Sequence, residues 1–83
     1  MNHKKIITAA VEEFAEAFYG AIAPKLPAVV GNLRSVLNLT ETQEEQIVLA
    51  MDHLIERSVK AASPRAELTT PPEIAALKSR LSR

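Results

Sequence analysis

At 83 residues the chain is long enough for one small domain, and an apolar content of 47% argues against a chain that is disordered throughout. Ten basic and ten acidic residues give a net charge of zero, unlike the positive excess typical of nucleic-acid binders. The absence of cysteine excludes disulfides, thiolate metal ligands and a cysteine nucleophile. A domain near this size buries only about 60% of its unfolded surface, so a monomer is expected to be marginally stable.

A first helix is predicted at residues 4–22, where apolar side chains recur at helical spacing. Glutamates occupy the opposite side of this helix. The apolar face is too wide for one partner helix to cover, which favours self-association as a dimer. The stripe consists of Ile7, Val11, Phe14, Phe18 and Ile22. The residues expected to mediate self-association are Phe14, Phe18, Tyr19 and, on a later helix, Leu49.

The N-terminus places Lys4 and Lys5 where a signal peptide has its basic residues, but Glu12, Glu13 and Glu16 interrupt the apolar segment that would have to follow. No segment approaches the roughly 20 apolar residues that a membrane-spanning helix needs. Helices that bind membrane surfaces carry a basic polar face, whereas the polar face of the first predicted helix is acidic. We therefore expect a cytoplasmic protein without a membrane partner.

Two prolines separate the first helix from a second one, predicted at residues 27–38. Its apolar stripe consists of Leu26, Val30, Leu33 and Leu37. The connection to the next helix, Asn38 and Leu39, is short, so the second and third helices are expected to be neighbours.

The longest helix is predicted at residues 41–62. Thr40 with Gln43 fits a capping box, but Thr42 with Glu45 fits one equally well, so both starting points are open. Pro64 ends the helix.

The apolar stripe of this third helix follows two helical rows, which include Leu54 and Val59, and Asp52 is expected to lie away from it. Leu49 also falls outside the stripe, either as a scattered exposed leucine or as a contact with another chain.

Residues 64–70 form a polar linker, and residues 71–83 hold a short C-terminal helix, at about 71–81, with a basic tail. Thr70, two prolines and Glu73 are typical of a helix start. Because so short a helix is marginal alone, it must dock on the body, on a second chain or on a partner. The residues predicted for partner docking are Ile74, Leu77 and Leu81.

Charge is unevenly distributed, since acids dominate residues 12–56 and bases dominate residues 57–83. The two regions could pair head to tail, or both could simply be solvated. The possible phosphate contacts in the basic tail are Lys78, Arg80 and Arg83.

Catalytic and metal chemistry are not favoured by the sequence. His53 and Glu56 are spaced to share a helix face, but zinc sites use three or four such ligands. With two glycines the chain has no glycine-rich phosphate loop, and no serine has an adjacent base in a recognisable motif. We therefore predict no catalytic, cofactor-binding or metal-binding residue.

The sequence predicts an all-α protein, a small antiparallel bundle of three main helices plus a short C-terminal helix. We expect a non-enzymatic interaction protein (a small adaptor, regulator or inhibitor) that docks on a protein partner and forms a homodimer. The alternative is a small DNA-binding regulator, of a transcriptional or plasmid and phage type, that uses the basic tail.

Overall fold

The computed structural model describes residues 3–81, and within that range it is helical with no β-strand. The predicted fold, three main helices and a short C-terminal one, is confirmed. The observed bounds differ from the predicted ones by at most one residue. The helices are α1 (His3–Ile22), α2 (Leu26–Leu37), α3 (Glu41–Ala62) and α4 (Pro72–Leu81), with a 3₁₀ turn at Ala23–Lys25.

A capping box fixes the start of α3. The Thr40 hydroxyl accepts a hydrogen bond from the Gln43 backbone N–H at 3.1 Å, and the Gln43 side chain accepts one from the Thr40 N–H at 2.9 Å. Two N–H groups that helical geometry leaves unpaired are thereby satisfied. Of the two starting points that the sequence allowed, the one at Thr40 is therefore the one used.

The chain runs from α1 to α2 without leaving helical geometry. Lys25 and Leu26 both have right-handed helical dihedral angles, and Pro27 falls in the first two positions of α2, where its missing N–H costs little. Asn38 then ends α2 in the left-handed conformation, with φ of 52°. This reverses the chain, so that α3 returns along α2.

The core is small and is supplied by α2, α3 and α4. Its fully buried members are Leu26, Val30, Val48 and Ile74. Half-buried apolar side chains from the same helices and the α2–α3 turn surround them. From α1 only Ala15 and Tyr19 are buried, and residues 3–11 of that helix are all exposed. The N-terminal half of α1 is therefore not part of the core.

One prediction for α3 is wrong. Asp52, expected on the polar side, is 0% exposed, whereas Leu54, expected in the apolar stripe, is 61% exposed. The reason is that Tyr19 of α1 and Lys78 of α4 both contact Asp52, so these helices cover that side of α3. The buried face of α3 is thus rotated away from the face that periodicity alone selects.

The molecule is extended for its size. Its radius of gyration is 15.3 Å, whereas a compact chain of this length has about 12 Å. Its accessible surface is 6100 Å², whereas a compact monomer of 9.1 kDa has about 4,900 Å². The chain therefore exposes more surface than a compact monomer of its mass.

Candidate interaction surface

A buried polar cluster joins three helices at the centre of the molecule. The Tyr19 hydroxyl of α1 donates a hydrogen bond to Asp52 Oδ1 of α3, and both side chains are buried. Lys78 Nζ of α4 lies 3.6 Å from Asp52 Oδ2. The buried carboxylate therefore has a hydrogen-bond donor on one oxygen and a countercharge beside the other, as a buried charge requires.

Burial raises the pKa of the Tyr19 phenol above its ordinary value of 10.0. The hydrogen bond to the Asp52 carboxylate and the negative charges of Asp52 and Glu56 raise this pKa further, while a hydrogen bond with the Thr70 side chain acts in the opposite direction. Tyr19 is thus held as a protonated donor at neutral pH.

Helix α4 docks on the body of its own chain. Ile74 is fully buried in the core and Leu77 packs against it, while Leu81 is half-buried. Arg80 adds an ion pair with Glu45 of α3. The surface of α4 that the sequence assigned to a partner is therefore largely occupied within the chain.

The tail residues predicted to contact phosphate are also engaged. Lys78 pairs with Asp52 and Arg80 with Glu45. Arg83 lies outside the residues that the structure describes. Two of the three positive charges are therefore already matched by carboxylates of α3.

Two of the residues predicted for self-association are covered to different extents. Tyr19 is 1% exposed, because its hydroxyl is turned inward to Asp52, so its side chain is not available to a second chain in this structure. Leu49 is half-buried and packs against the core, so it is not a scattered exposed leucine, and only part of its side chain remains accessible.

Phe14 and Phe18, by contrast, are on the surface. They are 71% and 44% exposed, and their rings stack with centroids 6.2 Å apart. Ile7 and Val11 continue the exposed row towards the N-terminus. The stripe that periodicity detected on α1 is therefore real, but most of it faces outward.

These α1 side chains form one wall of an open groove, and α3 forms the other. One depression lies between Val11, Phe14 and Phe18 on one side and Val59 and Ala62 on the other. The next one is lined by Phe18 and Val59 together with Leu54, Ile55 and Ser58. Because they share residues, the depressions are continuous. We call this surface the α1–α3 groove; its lining residues are Val11, Phe14, Ala15, Phe18, Leu54, Ile55, Ser58, Val59, Ala62 and Ser63.

The α1–α3 groove has the chemistry of a binding surface for apolar side chains. Among the described residues that line the α1–α3 groove, Ser58 and Ser63 are the polar ones, and none is ionisable. A second exposed apolar group lies on α2, formed by Val29, Leu33, Val36 and Leu37.

The structure offers no metal chemistry in the part of the chain that it describes. His53 is exposed on α3, and across residues 3–81 no three side chains of His, Cys, Asp or Glu come together in a way that could hold an ion. Nor is any of the described helices both long enough and apolar enough to pass through a bilayer.

The residues that sequence reasoning missed are Asp52 and Leu54. A signal for Asp52 existed, because it stands four residues after Val48 on the same helical row, and a buried tyrosine needs a hydrogen-bond partner.

Comparison with protein-family models, curated proteins and solved structures gives no match for this chain.

Proposed function

We propose that this chain is a non-enzymatic helical interaction protein, a small adaptor, regulator or inhibitor, which docks through the α1–α3 groove and forms a homodimer. The observation that carries the proposal is the groove itself, with Phe14, Phe18 and Leu54 all more than two-fifths exposed. Burying a fully exposed side chain of this kind contributes about 1.5–3 kcal/mol, and a partly covered one contributes less. Covering the exposed parts of these three side chains therefore favours association and offsets part of its entropic cost.

Two further features support the proposal. The two continuous depressions of the groove form one exposed apolar patch, and contiguous apolar patches on a protein surface mark interaction sites. The groove lining also lacks an ionisable acid or base, which favours binding over catalysis.

The cytoplasmic location expected from the sequence belongs to this proposal, and fractionation of the host cell tests it.

The experiment compares two variants that each replace an exposed apolar side chain with serine. Phe14→Ser removes an apolar side chain from the α1–α3 groove, and Val36→Ser removes one from α2, where Val36 is 78% exposed. Light scattering on a size-exclusion column gives the mass of each species. We expect Val36→Ser to associate like the unmodified chain and Phe14→Ser to raise the dissociation constant at least about tenfold.

The result that contradicts the proposal is equal association of Phe14→Ser and the unmodified chain. Circular dichroism serves as the folding control, since neither side chain belongs to the core.

The alternative, a DNA-binding regulator, has weaker support. Lys78 and Arg80 already pair with Asp52 and Glu45, so phosphate contacts would have to replace these ion pairs. The alternative gains support if the chain binds duplex DNA in a salt-dependent way and the triple variant Lys78→Ala, Arg80→Ala, Arg83→Ala does not. Absence of binding at low salt removes it.

A further inference from the structure

The α1–α3 groove is bordered by opposite charges on its two sides. Beyond Leu54, the depression continues to Arg57 and Ala61 on the far side of α3, and both residues are exposed. The border on α1 follows from helical geometry, in which successive residues are turned by about 100°. Ala15, one residue after Phe14, is buried against the body, so Glu13, one residue before Phe14, lies on the outer side of α1.

Both charges stand at nearly the same level along the helices. Helices α1 and α3 are antiparallel, since Tyr19 meets Asp52 at one end and Val11 shares a depression with Ala62 at the other. By this correspondence Glu13 is level with a position on α3 within about two residues of Arg57, a difference of about 3 Å. One acidic and one basic side chain therefore flank the apolar groove at nearly the same level; we call the Glu13 border the acidic rim and the Arg57 border the basic rim.

Resting on the proposed function, we propose that the occupant of the α1–α3 groove is a second copy of this chain. A two-fold axis parallel to the helices relates the copies. In this arrangement α1 of each copy packs on α3 of the other, and Glu13 pairs with the partner's Arg57. The interface becomes a four-helix arrangement of two α1 and two α3 helices, in which the apolar walls cover one another.

The charges select the direction of this axis. A two-fold rotation about an axis parallel to the helices sets the acidic rim of each copy against the basic rim of the other. An axis perpendicular to the helices and lying in the interface would instead set Glu13 near the partner's Glu13 and Arg57 near the partner's Arg57. Since like charges across an interface disfavour it, the parallel axis is the one that the surface fits.

The surface available is sufficient for a stable dimer. The accessible surface of 6100 Å² exceeds that of a compact monomer of this mass by about 1,200 Å². A standard protein interface buries about 800 Å² on each partner. An interface of that size would cover about two thirds of the excess, so the chain has enough accessible surface to form one.

The test is a charge exchange between the two rims, measured by sedimentation equilibrium. Glu13→Arg and Arg57→Glu each place like charges across the interface, and two-fold symmetry makes each change count twice. We expect each single variant to raise the dissociation constant at least about tenfold and the double variant to restore it to nearly the original value. Glu16→Arg is the matched control, because Glu16 is exposed on the side of α1 opposite Phe14 and should leave the constant unchanged.

Three outcomes overturn the arrangement. The two rims do not meet if neither single change alters the dissociation constant, or if the double variant does not recover. In that case, if Phe14→Ser still dissociates the dimer, the proposed function stands without this geometry. Tighter association of Glu13→Gln means that like rims meet across a perpendicular axis. An unmodified chain that stays monomeric at every concentration removes the second copy as occupant, and with it the homodimer of the proposed function.

Discussion

Tyr19 of α1 and Asp52 of α3, 33 positions apart in the sequence, share a hydrogen bond between two buried side chains. Lys78 of α4 approaches the second oxygen of the same carboxylate. One aspartate thus connects α1 and α4 to the central helix. This cluster anchors the C-terminal half of α1, while the exposed row from Ile7 to Phe18 faces outward from the same helix.

Replacing Tyr19 with Phe should destabilise the fold. The substitution keeps the ring and removes the donor to Asp52, which leaves a buried carboxylate oxygen without its hydrogen bond. We expect the free energy of unfolding to fall by about 1–3 kcal/mol, measured by urea denaturation. Phe14→Ala, on the exposed side of the same helix, is the control and should change the stability of the monomer much less. If Tyr19→Phe lowered the free energy of unfolding no more than Phe14→Ala, the hydrogen bond between Tyr19 and Asp52 would contribute nothing to stability.

The same tyrosine should make stability fall at alkaline pH. In the unfolded chain Tyr19 loses its proton above its ordinary pKa of 10.0, whereas in the folded chain burial raises the pKa. The folded state then binds more protons than the unfolded state, so its stability is complete below pH 10.0 and is lost as pH rises towards the raised pKa. A single group contributes a slope of up to about 1.4 kcal/mol per pH unit.

Denaturation of the unmodified chain and of Tyr19→Phe across this pH range isolates the contribution of the tyrosine from that of all other groups. The Tyr19→Phe variant should lack the part of the slope of unfolding free energy against pH that Tyr19 contributes. Parallel curves for the two proteins would contradict the assignment.

Replacing Lys78 with Met should loosen α4. The change keeps the aliphatic part of the side chain but removes the countercharge of the buried Asp52 carboxylate. Because Lys78 itself is 47% exposed, we expect a loss of about 1–2 kcal/mol rather than the full cost of breaking a buried pair. In the variant, backbone hydrogen exchange should accelerate more in Pro72–Leu81 than in α3. Unchanged exchange rates in Pro72–Leu81 would contradict the role of Lys78 in holding α4. Lys78→Arg, which keeps the positive charge at the same position, is the control.

The start of α3 gives a test with a built-in control. Thr40→Ala removes the acceptor of the Gln43 N–H and should cost about 1 kcal/mol. Thr42→Ala, at the alternative cap that the sequence also allowed, should cost much less, since Thr42 lies within the first turn. If thermal denaturation showed a larger loss of stability for Thr42→Ala than for Thr40→Ala, the N-cap would be Thr42 rather than Thr40.

The helices could be predicted from the sequence because their ends are set locally. The capping box at Thr40, the prolines before α2 and α4, and the left-handed Asn38 act within a few residues, and helical spacing within α1 is equally local. Such signals are complete in the sequence itself, which is why the predicted bounds lie so close to the observed ones.

The packing between helices could not be predicted in the same way. Whether Asp52 is buried depends on which helices cover α3, and neither Tyr19 nor Lys78 is near it in the sequence. Periodicity likewise identified the stripe on α1, but it could not tell that Phe14 would be on the outside. An apolar helix face is compatible with either a core or an interface, and only the arrangement of the other helices decides between them.

If a second copy of the chain covers the α1–α3 groove, the mass in solution must depend on concentration. Sedimentation equilibrium of the unmodified chain, over concentrations from micromolar to millimolar, measures this dependence. We expect a mass that rises with concentration to twice the 9.1 kDa of one chain and stops there, because a two-fold interface closes on itself. A mass that stays at 9.1 kDa throughout would contradict it.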